Sequence, residues 1–152
     1  MQDVVLASDH RGHALKSKIK DYLKEKKYFY IDTGVSSADR PDENLELPPI
    51  IAVVKEAAEV VQGAKNFCGI FVCGNGIGMS IAANRIKGVR AALCHTVTDA
   101  RLAREHNDAN VLCLGGENID WEECKKIINV FLNTKSLNET RYIKRRAAFD
   151  KI

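Results

Sequence analysis

FCGIFVCGNGIGMSIAAN, residues 67–84, is the stretch around which the chain is organised. Residues 67–73 are apolar and rich in β-formers, the pattern of a strand buried on both faces of a parallel sheet. Gly74-Asn75-Gly76-Ile77-Gly78 follows, with glycines at alternate positions. Residues 79–84 are short on β-branching and read as the start of a helix. Strand, glycine turn and helix together make an anion site: glycines let bare N–H groups approach a ligand, and the helix N-terminus adds partial positive charge. Cys73 stands at the mouth of the turn, where the same N–H groups would stabilise a thiolate. The plainer alternative is a turn that permits close helix–strand packing, with the cysteine a small buried hydrophobe. The turn lacks the Lys-Ser/Thr ending of a Walker loop. It also lacks the spacing and first-strand position of a dinucleotide fingerprint.

Outward from this stretch, strands and helices alternate. Residues 3–8 (DVVLAS) read as a first strand, with Asp9 as the cap of a helix over 10–27. In that helix Ala14, Leu15, Ile19, Tyr22 and Leu23 fall on one face and the lysines on the other. Residues 28–32 form a second strand, closed by Thr33-Gly34. Residues 35–48 are a polar, proline-bearing loop, long enough to be functional. Pro49 opens a helix to about residue 62, and Gly63 stops it. After the central stretch come a fourth strand (89–94), a helix from Val97 capped by Thr96, and a fifth strand (110–114) closed by Gly115-Gly116. A helix over 120–133 and a basic helix over about 138–149 complete the chain. The expected fold is one α/β domain, residues 1–152, with a doubly wound five-stranded parallel sheet in the order 2-1-3-4-5 and helices on both faces.

Composition narrows the function. At 152 residues, with 45% apolar and 28% charged residues, the chain is expected to be globular with a full core. No apolar run approaches the roughly 20 residues that span a bilayer, and residues 1–8 lack signal-peptide anatomy. Five cysteines in no framework spacing point to a reducing, cytoplasmic compartment, and the absence of a C-x-x-C pair argues against structural zinc. A net charge of +3 gives no case for nucleic acid as partner.

In doubly wound folds, ligands bind beyond the carboxyl ends of the strands at the switch between strands one and three. That rule brings Asp9 and His10 together with Cys73 and the glycine turn. Two further groups stand out. His106-Asn107-Asp108 closes the fourth helix, where a histidine also suits the helix dipole. Arg141 and Arg145 lie four apart on the last helix and share a face, as an arginine fork on phosphate or as a solvated basic surface. His13, His95 and Trp121 read as structural.

SDHRG (8–12), CGNGIGMSIAAN (73–84), REHNDANVLCLGG (104–116) and the arginine pair, in order and in register over nearly the whole chain, resemble ribose-5-phosphate isomerase type B. That family includes allose-6-phosphate and galactose-6-phosphate isomerases. The resemblance implies a cofactor-free, metal-free aldose–ketose isomerisation, ribose 5-phosphate to ribulose 5-phosphate, through an enediol. It implies Cys73 as the base between carbons 1 and 2, His106 as the acid/base that opens the furanose ring, and Asn75 in the catalytic turn. Gly74, Gly76, Ile77 and Gly78 would stabilise the enediolate. Asp9, His10, Asn107, Arg141 and Arg145 would bind the sugar and its phosphate.

The chain departs from the family at three places. Asn75 replaces Thr or Ser. Glu117 replaces an arginine for phosphate, with Lys144 or Arg146 expected to compensate. Leu47-Pro48 or Arg40-Pro41 stands where a tyrosine-proline pair is usual. The alternatives are an isomerase of a six-carbon sugar phosphate, a catalytically silent sugar-phosphate binder, and a flavodoxin-type nucleotide module. The intact Cys73 and His106 argue against the silent binder. The glycine spacing argues against the nucleotide module.

Topology adds an expectation about assembly. His106 precedes strand five and so lies at the amino ends of the strands, whereas Cys73 lies at the carboxyl ends. One site using both needs two subunits, a homodimer or dimer of dimers.

Overall fold

A computed structural model of the chain describes residues 2–39, 44, 48–64 and 66–151. The elements run β1 (Asp3–Ser8), α1 (His13–Glu25), β2 (Tyr30–Gly34), α2 (Pro49–Gly63), β3 (Phe67–Cys73), α3 (Ile77–Ala83), β4 (Ala91–Leu93), α4 (Val97–Asn107), β5 (Val111–Gly115), α5 (Trp121–Asn133) and α6 (Thr140–Phe149). All strand pairs are parallel, and the doubly wound α/β class holds. Arg40, Pro41 and Leu47 lie outside the described residues.

The strand order is β2-β1-β3-β5-β4, so the expected 2-1-3-4-5 is corrected at its outer end. Burial explains the exchange. β5 reads VLCLG and every residue is buried, so it takes the place beside β3. β4 is three residues long, half-buried throughout and paired only with β5, which suits an edge.

Alternation along the strands sends side chains into two cores. Val4, Leu6, Ile70, Val72, Leu112 and Leu114 face α1, α4 and α5. Val5, Ala7, Phe71, Cys73, Val111 and Cys113 face α2 and α3. Cys73 therefore points to the side from which the glycine turn feeds α3.

Local signals set most boundaries. Thr96 and Asp99 form a reciprocal capping box at α4, and the Asp120 carboxylate accepts from the Glu122 and Glu123 amides at α5. α1 starts later than expected because the Asp9 carboxylate accepts from Gly12 N at 2.9 Å, enclosing a turn before the helix. One lysine breaks the expected division of α1. Lys16 is 3% exposed, while Ala14 faces solvent. Its Nζ donates to the Thr33 and Val35 carbonyls at 3.1 and 2.8 Å and pairs with Asp32 at 2.8 Å. Burial pushes the Asp32 carboxyl up, but hydrogen bonds from Lys16 and Lys20 outweigh it and leave the group below its ordinary value.

Gly12 fixes how α1 meets the centre of the sheet. A Cβ there would lie 2.3 Å from the Val72 carbonyl oxygen and 3.0 Å from Cys73 N. The backbone of Gly12 is ordinary right-handed helix, so the requirement for glycine is one of space alone. Gly12→Ala should destabilise the fold by about 1–3 kcal/mol, because backbone rather than a pliable side chain must move. Urea unfolding checks this; an unchanged midpoint would contradict the close approach.

Candidate active site

The carboxyl ends of β1, β3 and β5 meet as a clasp. Gly116 N donates to the Cys73 carbonyl at 2.8 Å, and Glu117 N to the Gly74 carbonyl at 2.9 Å. Inside the clasp the Cys73 thiol is 3% exposed, and its Sγ accepts a hydrogen bond from Gly76 N at 3.2 Å. Gly76 has φ +79°, and a Cβ there would lie 2.5 Å from Leu93, so only glycine serves. Asn75 is exposed, but its Oδ1 accepts from Ile77 N at 3.1 Å, giving its side chain a capping role in the turn. Asp9, buried, and His10, half-buried, stand at the end of the neighbouring β1. The structure thus brings Asp9, His10, Cys73, Asn75 and the glycine turn to one end of the sheet.

Sequence reasoning missed Arg11 in this group. Its guanidinium covers Gly74, with Cζ 2.7 Å from where a Cβ would stand. It forms a two-pronged ion pair with Glu117, Nε to Oε1 at 2.8 Å and Nη2 to Oε2 at 2.6 Å. The hydrogen bond from Arg11 holds the Glu117 carboxyl below its ordinary value. Arg146, also expected to help, donates from Nη1 to the Leu137 carbonyl at 2.8 Å. A signal for Arg11 was present, since it directly follows Asp9-His10. Its contact with Glu117 spans 106 positions and could not be read from the chain.

The remaining candidates gather elsewhere. His106 lies face to face on the Tyr142 ring, centroids 4.5 Å apart and planes 9° apart. The Arg141 and Arg145 guanidinium carbons lie 4.5 and 5.6 Å from the centre of that ring. Asn107 follows His106 and borders a cavity of about 680 Å³ with Arg85, Lys87, Arg90 and Phe149. Arg90 Nε donates to the Asn107 and Asp108 carbonyls, fixing the end of α4.

Register separates the two groups. Gly69 pairs with Val111 and Cys73 with Gly115. His106 precedes Val111 at the amino end, and Cys73 is four residues along the ladder toward the carboxyl end. At about 3.3 Å per residue the ladder alone puts roughly 13 Å between these levels. Within one chain, His106, Asn107, Arg141 and Arg145 do not meet Cys73.

Fold and turn define the class: a doubly wound α/β protein with a thiol and a glycine turn at the carboxyl ends of its strands, where such folds bind ligands. A family profile described as Ribose/Galactose Isomerase matches residues 4–149, and the chain belongs to that family. It is 36% identical over 135 residues to ribose-5-phosphate isomerase B of Escherichia coli, covering 89% of this chain and 86% of that protein. A crystal structure of a ribose 5-phosphate isomerase from Thermotoga maritima superposes with a TM-score of 0.90 at 37% identity, covering 99% of each chain. A Clostridium thermocellum ribose-5-phosphate isomerase B gives 0.89 at 33% identity, covering 99% of this chain and 96% of that one.

The cysteines differ in reactivity. Cys68, Cys73, Cys94, Cys113 and Cys124 are free thiols. Burial pushes Cys68, Cys94 and Cys124 up to about 12, and Cys113 well above its ordinary value. A thiolate is the reactive form, so these four stay inert at neutral pH. Cys73 alone accepts an amide hydrogen bond from the glycine turn among the described residues. Iodoacetamide at pH 8 should therefore modify Cys73 first, read by peptide mass mapping. Modification of a second cysteine at an equal rate would contradict the assignment.

Proposed function

We infer that the chain is an aldose–ketose isomerase that interconverts ribose 5-phosphate and ribulose 5-phosphate, with residues 1–152 as one catalytic domain. The observation that carries this reading is the Cys73 thiol held by Gly76 N in a glycine turn, in a member of the Ribose/Galactose Isomerase family. His106 opens the furanose ring by moving a proton between the anomeric hydroxyl and the ring oxygen. The Cys73 thiolate then takes the proton from carbon 2. The electron pair forms the C1–C2 double bond, and the aldehyde oxygen becomes an enediolate oxygen facing Gly74, Asn75, Gly76, Ile77 and Gly78. The proton on the carbon 2 oxygen passes to the carbon 1 oxygen, the ketone forms at carbon 2, and the thiol returns a proton to carbon 1. No oxidant or cofactor enters the balance. A base aligned with its proton contributes roughly 10²–10⁴-fold, and donors aimed at the developing oxyanion contribute further.

Asp9 and His10 bind the sugar. The carboxylate of Asp9 spends one oxygen on Gly12 N and offers the other to a hydroxyl. Arg141 and Arg145 take the phosphate, as arginine forks do. Arg11 joins them, bringing a guanidinium beside position 117, where the family carries one. Glu117→Gln should release Arg11 and lower the KM for ribose 5-phosphate several-fold. Arg11→Ala should raise it by about tenfold or more, the loss of a charge-assisted bond. Unchanged KM in both variants would make the pair a surface brace only.

The active form is a homodimer, alone or paired into a tetramer, with His106, Asn107, Arg141 and Arg145 supplied across the interface. Two observations support this: the separation of the two groups within one chain, and an apolar patch on α3, where Ile77 and Ile81 are 48% and 62% exposed one helical turn apart. The free thiols support a reducing, cytoplasmic setting. Among the described residues no helix is long and apolar enough to cross a membrane.

The test uses two inactive variants. Cys73→Ala and His106→Ala should each lose conversion of ribose 5-phosphate while staying folded. Mixed under conditions of subunit exchange, about half the dimers become hybrids with one intact site of two, so activity should return to about a quarter of wild type. No recovery after proven exchange would place both residues in one chain. Full activity in Cys73→Ala would rule out the thiolate as the base and end the isomerase mechanism built on it.

A further inference from the structure

We propose that Tyr142 is a positioning residue of the isomerase: its ring is the plate that fixes His106 relative to Arg141 and Arg145. The proposal rests on the reading of His106 as the ring-opening group and of the two arginines as phosphate ligands. Among the described residues of α6, Tyr142 alone is buried, at 6% exposure, and its ring stacks on the imidazole of His106. One aromatic ring thus touches an imidazole, stacked at 4.5 Å and 9°, and two guanidiniums at 4.5 and 5.6 Å. The negative face of an aromatic ring attracts such cations, and a flat rigid ring holds three groups at set spacings where a flexible side chain cannot.

Substrate chemistry gives that spacing a purpose. In a sugar phosphate the ring oxygen and the phosphorus are joined by a short covalent frame. A protein that grips the phosphate and moves a proton at the ring oxygen must hold its own groups to the same separation. His106 sits at the end of α4, and the arginines sit on α6. The backbone tie between these segments is made before α6 begins, by Leu137 N donating to the Glu105 carbonyl at 2.9 Å, with Arg146 Nη1 on the Leu137 carbonyl at 2.8 Å. Those bonds seat α6 on α4. Arg141 Nε also pairs with Glu139 at 2.9 Å, while the Tyr142 ring is the group in contact with His106 and both arginines.

The experiment separates positioning from folding. Ribulose 5-phosphate is open-chain, since its C5 oxygen carries the phosphate and cannot close a furanose. Loss of its C1 hydrogen into deuterated water reads Cys73 and phosphate binding without ring opening. Conversion of ribose 5-phosphate requires ring opening as well. Tyr142→Phe keeps the ring and should stay within about twofold of wild type in both assays, since stacking and cation–π attraction need no hydroxyl.

Tyr142→Leu should raise KM in both assays because the arginines lose their seat. It should lower kcat for ribose 5-phosphate by about ten- to hundredfold, the effect of a displacement near 1 Å. Its kcat for C1 exchange should stay close to wild type. Tyr142→Met, matched in bulk but not aromatic, stands in if the leucine variant does not fold, and should behave as Leu does. Equal loss of kcat in both assays, Phe as damaged as Leu, or normal kinetics without an aromatic ring would each overturn the proposal. His106→Ala is the control: if it converts ribose 5-phosphate normally, the underlying reading of His106 fails, independently of Tyr142.

Discussion

The close approach of three strand ends is the constraint on which the site depends. Gly12 lies against the Val72 carbonyl, Gly116 N donates to the Cys73 carbonyl, and Glu117 N donates to the Gly74 carbonyl. β1 and β5 therefore grip the end of β3 from both sides, and the glycine turn has one way to leave the sheet. That geometry sets Gly76 N against Cys73 Sγ. It also lays Arg11 over Gly74 and in reach of Glu117. A side chain at position 12 or 76 would disturb all of these contacts together.

The distribution of charge follows the same logic. A lone carboxylate at 117 would oppose an anionic substrate. Paired in two-pronged fashion with Arg11, it adds almost no net charge to the rim and holds a guanidinium over the turn. The pair is half exposed, where solvent screening leaves an ion pair little effect on stability. Lys16 is the contrasting case. Buried and saturated by Asp32 and two carbonyls, it braces the exit of β2.

The separation of the two groups of site residues turns a question of chemistry into one of assembly. Within one chain, the thiol and the turn occupy the carboxyl ends of the strands, and the histidine and arginines surround Tyr142 at the other end of the sheet. On the proposed reading, a single subunit holds two halves of different sites. Exposed Ile77 and Ile81 lie beside the turn, so association would cover apolar surface next to Cys73. Stability and activity would then share one interface.

The amino-acid sequence by itself determined the α/β class, the strand ending at Cys73, the glycine turn and the cap at Thr96. These signals are local: a short apolar run closed by glycines, positive φ at Gly76, and a hydroxyl oxygen just before the amide it accepts from. The sequence also carried the family motifs, because Asp9, His10, Cys73 and His106 each sit in short contiguous runs. Only the tertiary structure decided that β5 rather than β4 lies beside β3, since that depends on which strand buries more apolar area against all the others. It decided that Lys16 is buried, that Arg11 meets Glu117 and that Tyr142 lies on His106. Each of these is a contact between segments far apart in the chain. Such contacts arise from packing, and neither periodicity nor capping chemistry encodes them.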